Sequence, residues 1–284
     1  MPNIAFLGTG LLGGALAEAA SKRGDSVTAW NRSADKATAL ARFGVKAAAT
    51  PAEAVRGASR VHLVLKDDAV VEEAIAAARP GMSAGAVLID HTTTSPPLTM
   101  KRAEALRAAG LKYLHCPVFM GPMHARKAQG SMLVAGPKAL FESVEADLAR
   151  MTGRLEYLGE RPDLAAANKL IGNALIVGLS AVLADVLTLA QASGVSGEDA
   201  IKLLGLLDLN GMVASRGMHM AKGSFEPSFE LAMARKDVRL MLDTAGDRPL
   251  ATLPGIAARM DQLISAGHGA RDATILAIDA VARL

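Results

Sequence analysis

Cysteine is almost missing from this chain. Cys116 is the single one in 284 residues, which excludes an intrachain disulfide and a thiolate metal cluster and fits a reducing cytoplasm. Aromatic residues are scarce at 3%, so alanine, leucine, valine and methionine must fill the core. The net charge of +3 comes with no basic run and no basic–aromatic alternation, which favours a small anionic ligand over nucleic acid. The six histidines (His62, His91, His115, His124, His219 and His268) show neither H-E-x-x-H nor H-x-x-E-H spacing, so no metal site is expected. No G-x-S-x-G nucleophile elbow occurs either. Residues 1–20 are apolar but lack a basic leader and are broken by glycines, which argues against a signal peptide. Residues 170–190 are long enough to span a membrane but include Asn173, Ser180 and Asp185. An aspartate at mid-bilayer costs several kcal/mol, so the expectation is a buried helix of a soluble protein and no membrane partner.

The apolar and charged fractions of 51% and 21% are those of a folded globular chain. Short β-rich runs at 3–7, 26–30, 60–65, 86–90, 112–116 and 132–135 alternate with helical patterns at 11–22, 34–43, 69–78 and 97–108. Such alternation predicts an α/β fold: a doubly wound parallel sheet with helices on both faces. From about residue 162 the pattern turns helical throughout. A long helix over 163–192, closed by Gly194, is followed by shorter ones at 197–206, 229–245, 251–266 and 272–282. The expected domains are 1–161, binding nucleotide, and 162–284, all-helical, with the long helix joining them.

Gly8-Thr9-Gly10-Leu11-Leu12-Gly13 is a G-x-G-x-x-G run placed directly after the first strand and opening a helix. There the first glycine makes the turn, the second lets a pyrophosphate approach, and the third lets helix and strand pack closely. An NAD-binding chain usually carries an acid about twenty residues on, for the ribose 2′-hydroxyl. The second strand instead runs out through Asn31-Arg32-Ser33. Arg32 can pair with a 2′-phosphate, with Asn31 and Ser33 adding neutral hydrogen bonds, so NADP is the expected cofactor.

Four short segments then occur in a recognisable order: the glycine run, Asp90-His91-Thr92-Thr93-Thr94-Ser95-Pro96, Lys169-Leu170-Ile171-Gly172-Asn173, and Lys236-Asp237-Val238-Arg239-Leu240. With them the whole chain resembles the β-hydroxyacid dehydrogenase family, which includes 3-hydroxyisobutyrate dehydrogenases, glyoxylate and succinic semialdehyde reductases and, more distantly, imine reductases. The resemblance implies hydride transfer between NADP(H) and a small hydroxy acid or aldehyde. It implies Lys169 as general acid and base, Asn173 as the residue orienting substrate, and Thr93 beside nicotinamide ribose and substrate. Leu65 would pack by the nicotinamide, Lys66 stands where the family often has proline, and Lys236 would close over the cofactor. It also implies a homodimer or homotetramer built through the helical domain. Independently of the family, Lys169 and Asn173 are four apart and share a helix face. Their neighbours are apolar enough to bring a lysine closer to working pH.

One segment departs from the family. His115-Cys116-Pro117-Val118-Phe119-Met120-Gly121 stands where Asp-Ala-Pro-Val-Ser-Gly-Gly is usual, and the Ser-Gly-Gly part binds a substrate carboxylate. Phe119 has no hydroxyl, Met120 blocks close backbone approach, and Gly121 is retained. The expected substrate is therefore less polar near this loop than 3-hydroxyisobutyrate, or is an acid anchored by His124 or Arg126 instead. Two other readings stand beside the leading one. The first is an imine reductase on the same scaffold, against which Lys169 speaks. The second is a catalytically silent NADP-binding module, against which the Lys169 and Asn173 pair speaks.

Overall fold

The computed structural model describes residues 2–281. The chain divides into two compact units, Met1–Asn173 and Ala174–Leu284.

In the first unit, six strands form one parallel sheet in the order β3-β2-β1-β4-β5-β6. They are β1 (Asn3–Leu7), β2 (Ser26–Trp30), β3 (Lys46–Ala47), β4 (Arg60–Leu63), β5 (Val87–Asp90) and β6 (Lys112–His115). A separate three-stranded sheet joins β7 (Val118–Phe119), β8 (Ser131–Val134) and β9 (Arg154–Tyr157), with β7 antiparallel and β9 parallel to β8. The run at 132–135 thus belongs to this small sheet and not to the main one. The helices are α1 (Leu11–Lys22), α2 (Ala34–Thr38), α3 (Pro51–Ala54), α4 (Asp68–Ala78), α5 (Pro96–Ala108), α6 (Pro122–Arg126), α7 (Lys138–Glu142) and α8 (Glu145–Ala149).

Alternation along β1 explains the two-sided core. Ile4 and Phe6 pack into one cluster with Leu16, Ala20 and Ile89, while Ala5 and Leu7 join Val61, Leu63, Ile75 and Leu88 in another. A parallel sheet covered on both faces needs apolar residues at successive positions, and β1 supplies them. Gly13, Gly14, Ala15 and Ala17 on α1 are all buried, and their small size lets the helix lie close to the sheet.

The long helix α9 (Leu164–Ala192) begins in the first unit and continues into the second. The division between the two compact units therefore falls inside this helix. Ala165 and Ala166 are fully buried, and Gly172 meets the Phe119 ring, so its first turns belong with the first unit. The second unit continues with α10 (Gly197–Leu204), α11 (Leu209–Ala221), α12 (Leu231–Ala245), α13 (Leu253–Leu263) and α14 (Ile278–Val281). Its core gathers Leu231, Ala234, Val238, Met260, Leu263 and Ile275.

Two buried carboxylates tie this second unit together. Asp185 accepts hydrogen bonds from the amides of Ala251, Thr252 and Leu253, and Asp272 accepts from those of Ser228, Phe229 and Thr274. Burial alone would raise the Asp272 pKa, but these bonds outweigh it and hold the carboxyl well below its usual range.

The expectation of a buried long helix is not met in the single chain. Ile171, Leu175, Ile176 and Val177 are all more than half exposed. At ~1.5 Å per residue the helix is about 43 Å long. By length and composition alone it is also long and apolar enough to cross a membrane.

Candidate functional site

The glycine run forms the turn between β1 and α1. Gly8 sits at φ +97, and a Cβ there would lie 2.2 Å from the Val64 carbonyl oxygen. A Cβ on Gly13 would lie 2.1 Å from the Gly8 carbonyl oxygen, so both positions are closed to any larger residue. Gly10 differs. A Cβ there would meet nothing within 4 Å, because it faces open space at the N-terminus of α1. That combination of a tight turn, an open glycine and free helix amides fits a dinucleotide pyrophosphate.

The turn opens onto a cleft of about 720 Å³. Gly8, Gly10, Leu11, Leu12 and Gly13 line its floor, Asn31, Arg32 and Ser33 one end, and Leu65, Lys66 and Thr93 another side. Lys36, missed in the sequence, adds a second cation to the Arg32 end. It lies in the first turn of α2, close in sequence to Arg32, and that proximity was the available signal. Asn31 lines the cleft and also braces it. Its Oδ1 accepts from the Thr9 amide at 2.9 Å and its Nδ2 donates to the Ser33 carbonyl at 3.1 Å. Both halves of the amide are thus engaged with the backbone, joining the glycine turn to the loop after β2.

The 90–95 loop after β5 separates three threonines by role. Thr92 Oγ1 accepts from the Leu65 amide and Thr94 Oγ1 bonds Thr99 Oγ1, whereas Thr93 is exposed and faces the cleft. Beneath them lies a polar scaffold that sequence reading missed. Asp90 accepts from the Thr92 amide and the Tyr113 hydroxyl, and fully buried Arg102 reaches Asp68 and Glu72, both at 2.7 Å. Asp68 in turn accepts from the Ser95 amide at 2.9 Å. No local periodicity announces such a network, because its members come from four separate elements.

His91 belongs to the same floor. Its Nδ1 lies 2.7 Å from the Cys116 carbonyl oxygen, which can only accept, so Nδ1 carries the hydrogen. Nε2 then accepts from His62 Nδ1 at 2.9 Å. Burial pulls the His91 pKa down to about 4, against the opposing pull of the Cys116 carbonyl and Asp90. Burial likewise lowers His62 and His115. These three imidazoles are neutral struts.

Lys169 projects from the first turns of α9 and is 9% exposed. Its ammonium lies 4.0 Å from the centroid of the Phe119 ring. Burial lowers its pKa from the ordinary lysine value. Asn173, one turn on, is partly exposed. Phe119, Met120, Gly121, Lys169 and Asn173 do not line the 720 Å³ cleft; Phe119 and Lys169 meet each other, and Met120 packs against the core. Of the two alternative anchors, Arg126 is bound to Glu18 at 2.8 Å, and His124 is exposed. Lys236 lies on α12 in the second unit, half-exposed, with its ammonium 2.9 Å from Asp237. Among the described residues no cluster of metal-ligating side chains is present.

Comparison with known proteins agrees with this layout. Residues 3–159 match the family described as the NAD binding domain of 6-phosphogluconate dehydrogenase. Residues 164–278 match the one described as the NAD-binding of NADP-dependent 3-hydroxyisobutyrate dehydrogenase. The chain is 30% identical over 262 residues to glyoxylate/succinic semialdehyde reductase 1 of Arabidopsis thaliana, covering 90% of this chain and 89% of that protein. It is 28% identical to the cytokine-like nuclear factor N-PAC of Homo sapiens over 84% of this chain and 44% of that protein. Among solved structures, an imine reductase from Myxococcus stipitatus in complex with NADP+ superposes with a TM-score of 0.89 at 23% identity, over 97% of this chain and 98% of that one. A reductive aminase from Aspergillus terreus in complex with NADPH and ethyl levulinate gives 0.88 at 24% identity, over 98% and 99%. At these identities the structural likeness establishes the fold alone.

Proposed function

Because the chain belongs to the β-hydroxyacid dehydrogenase family, whose members are NAD(P)-dependent oxidoreductases, we propose that it interconverts a small carbonyl compound and its alcohol with NADP(H). The observation that carries this reading is Lys169: a lysine nine-tenths buried, lowered in pKa by burial, on one helix face with Asn173. A bound dinucleotide would supply or accept a hydride. Lys169 Nζ gives a proton to the carbonyl oxygen in reduction and recovers it in oxidation. Asn173 orients the substrate by hydrogen bonding, and Thr93, free of the bonds that occupy Thr92 and Thr94, contacts ribose and substrate. Leu65, Lys66 and Lys236 complete the cofactor contacts.

NADP is preferred over NAD in this reading, since Arg32 and Lys36 stand at the cleft where an acid would otherwise select a free ribose hydroxyl. The substrate is less polar near Phe119 than 3-hydroxyisobutyrate, or is an acid anchored by another group, because the ring itself offers a carboxylate no hydrogen-bond donor. A second copy of the chain covers the exposed apolar residues of α9, making a homodimer or homotetramer. A cytoplasmic setting belongs to the same reading, supported by Cys116 being a buried free thiol.

Steady-state NADPH oxidation with a panel of aldehydes, ketones and cyclic imines tests it. The reading expects turnover of carbonyls that depends on Lys169. Turnover of imines that survives Lys169→Ala would favour the imine reductase alternative, which the structural neighbours motivate. No turnover with any of them would favour a silent NADP-binding module.

A further inference from the structure

Two residues beside Lys169 have no role in the mechanism above. Phe119 ends β7, where Val118 turns into the core and the ring turns away from it. Gly172 lies three residues after Lys169, on the same side of α9. A Cβ built on Gly172 would stand 2.4 Å from Cζ and 2.8 Å from Cε1 of Phe119. The tip of the ring thus occupies the space a side chain at 172 would need. The face of that ring lies under the Lys169 ammonium, 4.0 Å from centroid to Nζ.

An ammonium in an apolar setting loses its hydration, and a carboxylate partner would restore stability only by tying it into an ion pair. An aromatic face offers a third solution, since its quadrupole attracts the cation without accepting its proton. We propose that Phe119, seated in the gap at Gly172, is the positioning residue for the proton donor. Its ring holds the Lys169 ammonium in place and keeps the protonated form populated in dry surroundings. This rests on Lys169 being the donor. No ionised neighbour does the same work: Arg161 and Asp163 near the start of α9 pair with each other at 2.8 Å, and His124 beyond β7 is exposed. Burial lowers the Lys169 pKa, and an aromatic face against the ammonium would pull the other way.

The test measures Lys169 itself before it measures turnover. Trace acetylation of the intact protein with acetic anhydride, quantified on the Lys169 peptide across pH, reports its proton affinity without any substrate. Phe119→Leu keeps apolar volume and removes the π face. It should move the Lys169 titration down by about half to one pH unit and lower kcat about tenfold, with NADPH affinity unchanged. A ring-fluorinated phenylalanine at position 119, of nearly the same shape but weaker quadrupole, should give an intermediate shift. Gly172→Ala, which displaces the ring from the helix side, should move the titration in the same direction, and it serves alone if Phe119→Leu fails to fold. An unmoved Lys169 titration in Phe119→Leu, or in Gly172→Ala where that variant serves alone, overturns the proposal. If the titration moves but the alkaline limb of kcat stays put, the ring does hold the ammonium and Lys169 is not the proton donor. That outcome sinks the reading of function and overturns Phe119 as the positioning residue of the donor, leaving only its hold on the ammonium.

Discussion

Nitrogen bases stand at three depths in the first unit. At the cleft, Arg32 and Lys36 are exposed to water. Inside, Lys169 is nine-tenths buried, and His91 and His62 are more deeply buried still. The exposed cations suit an anion that arrives from solvent and leaves again. The partly dry lysine is held where giving up a proton becomes affordable. The fully dry imidazoles never charge at neutral pH and serve as hydrogen-bonded supports. One unit thus holds similar groups at different degrees of access to water, and under the proposed function these would serve recognition, proton transfer and rigidity.

The comparison is broken most severely by removing the intermediate case. Lys169→Ala should reduce kcat by roughly two to four orders of magnitude, a general-acid contribution, while NADPH affinity stays near native. Lys169→Arg keeps the charge but cannot release the proton, so it should lose nearly as much. Near-native turnover in either variant, with hydride transfer rate-limiting, would remove Lys169 from the mechanism. In the native protein, reduction should decline as pH rises through a Lys169 pKa that lies below the ordinary lysine value, and the pH profile of kcat shows this.

The buried histidines make the next largest effect. His91 has its folded pKa depressed to about 4 from 6.5, so the unfolded chain binds its proton first. Stability from this group is complete above pH 6.5 and is lost progressively as pH falls to about 4, for a total of about 3 kcal/mol. Thermal melts between pH 8 and 4.5 should show that decline. His91→Gln, which keeps a donor for the Cys116 carbonyl, should flatten it by one proton's worth of slope.

Substrate preference sharpens the contrast between wet and dry. Uncharged aldehydes should exceed carboxylated ones of similar size in kcat/KM. If glyoxylate or succinic semialdehyde instead wins by about a hundredfold, some other group anchors the anion and the inference from Phe119 is wrong. The smallest effect concerns the exposed pair. NADPH should bind at least about tenfold tighter than NADH, or ~1.4 kcal/mol, and Arg32→Ala should erase most of that difference in fluorescence titrations. Equal affinities in the native protein would overturn the NADP assignment.

What could be read from the sequence follows from how local each signal is. β1, β2 and α1 match expectation residue for residue, since each is a periodic run bounded by glycine or a polar turn. The strand β9 (R-L-E-Y) escaped because it is short, half-exposed and defined by pairing with β8 more than twenty residues earlier. The helix α11 escaped because Gly211 and Gly217 interrupt its pattern. At the site, the glycine turn and the Lys169–Asn173 spacing are local and were legible. The division of labour among Thr92, Thr93 and Thr94 was not, because it depends on Leu65 and Thr99 choosing partners. The residues expected to hold the substrate were named one by one, but the placement of the Phe119 ring against Gly172 joins two elements some fifty residues apart.

The bracing by Asn31 has a practical meaning for anyone who wishes to re-engineer the cofactor. Inserting an acid at the end of β2 is the obvious route to an NAD-using variant, and position 31 is the tempting place. Yet Asn31 joins the glycine turn through Thr9 to the Arg32 loop through Ser33, tying the two segments to each other. Asn31→Asp would keep the acceptor for Thr9 and lose the donor to the Ser33 carbonyl, unlatching the loop that the redesign needs to hold still. The change belongs at Arg32, whose side chain braces nothing and can be exchanged without loosening the frame.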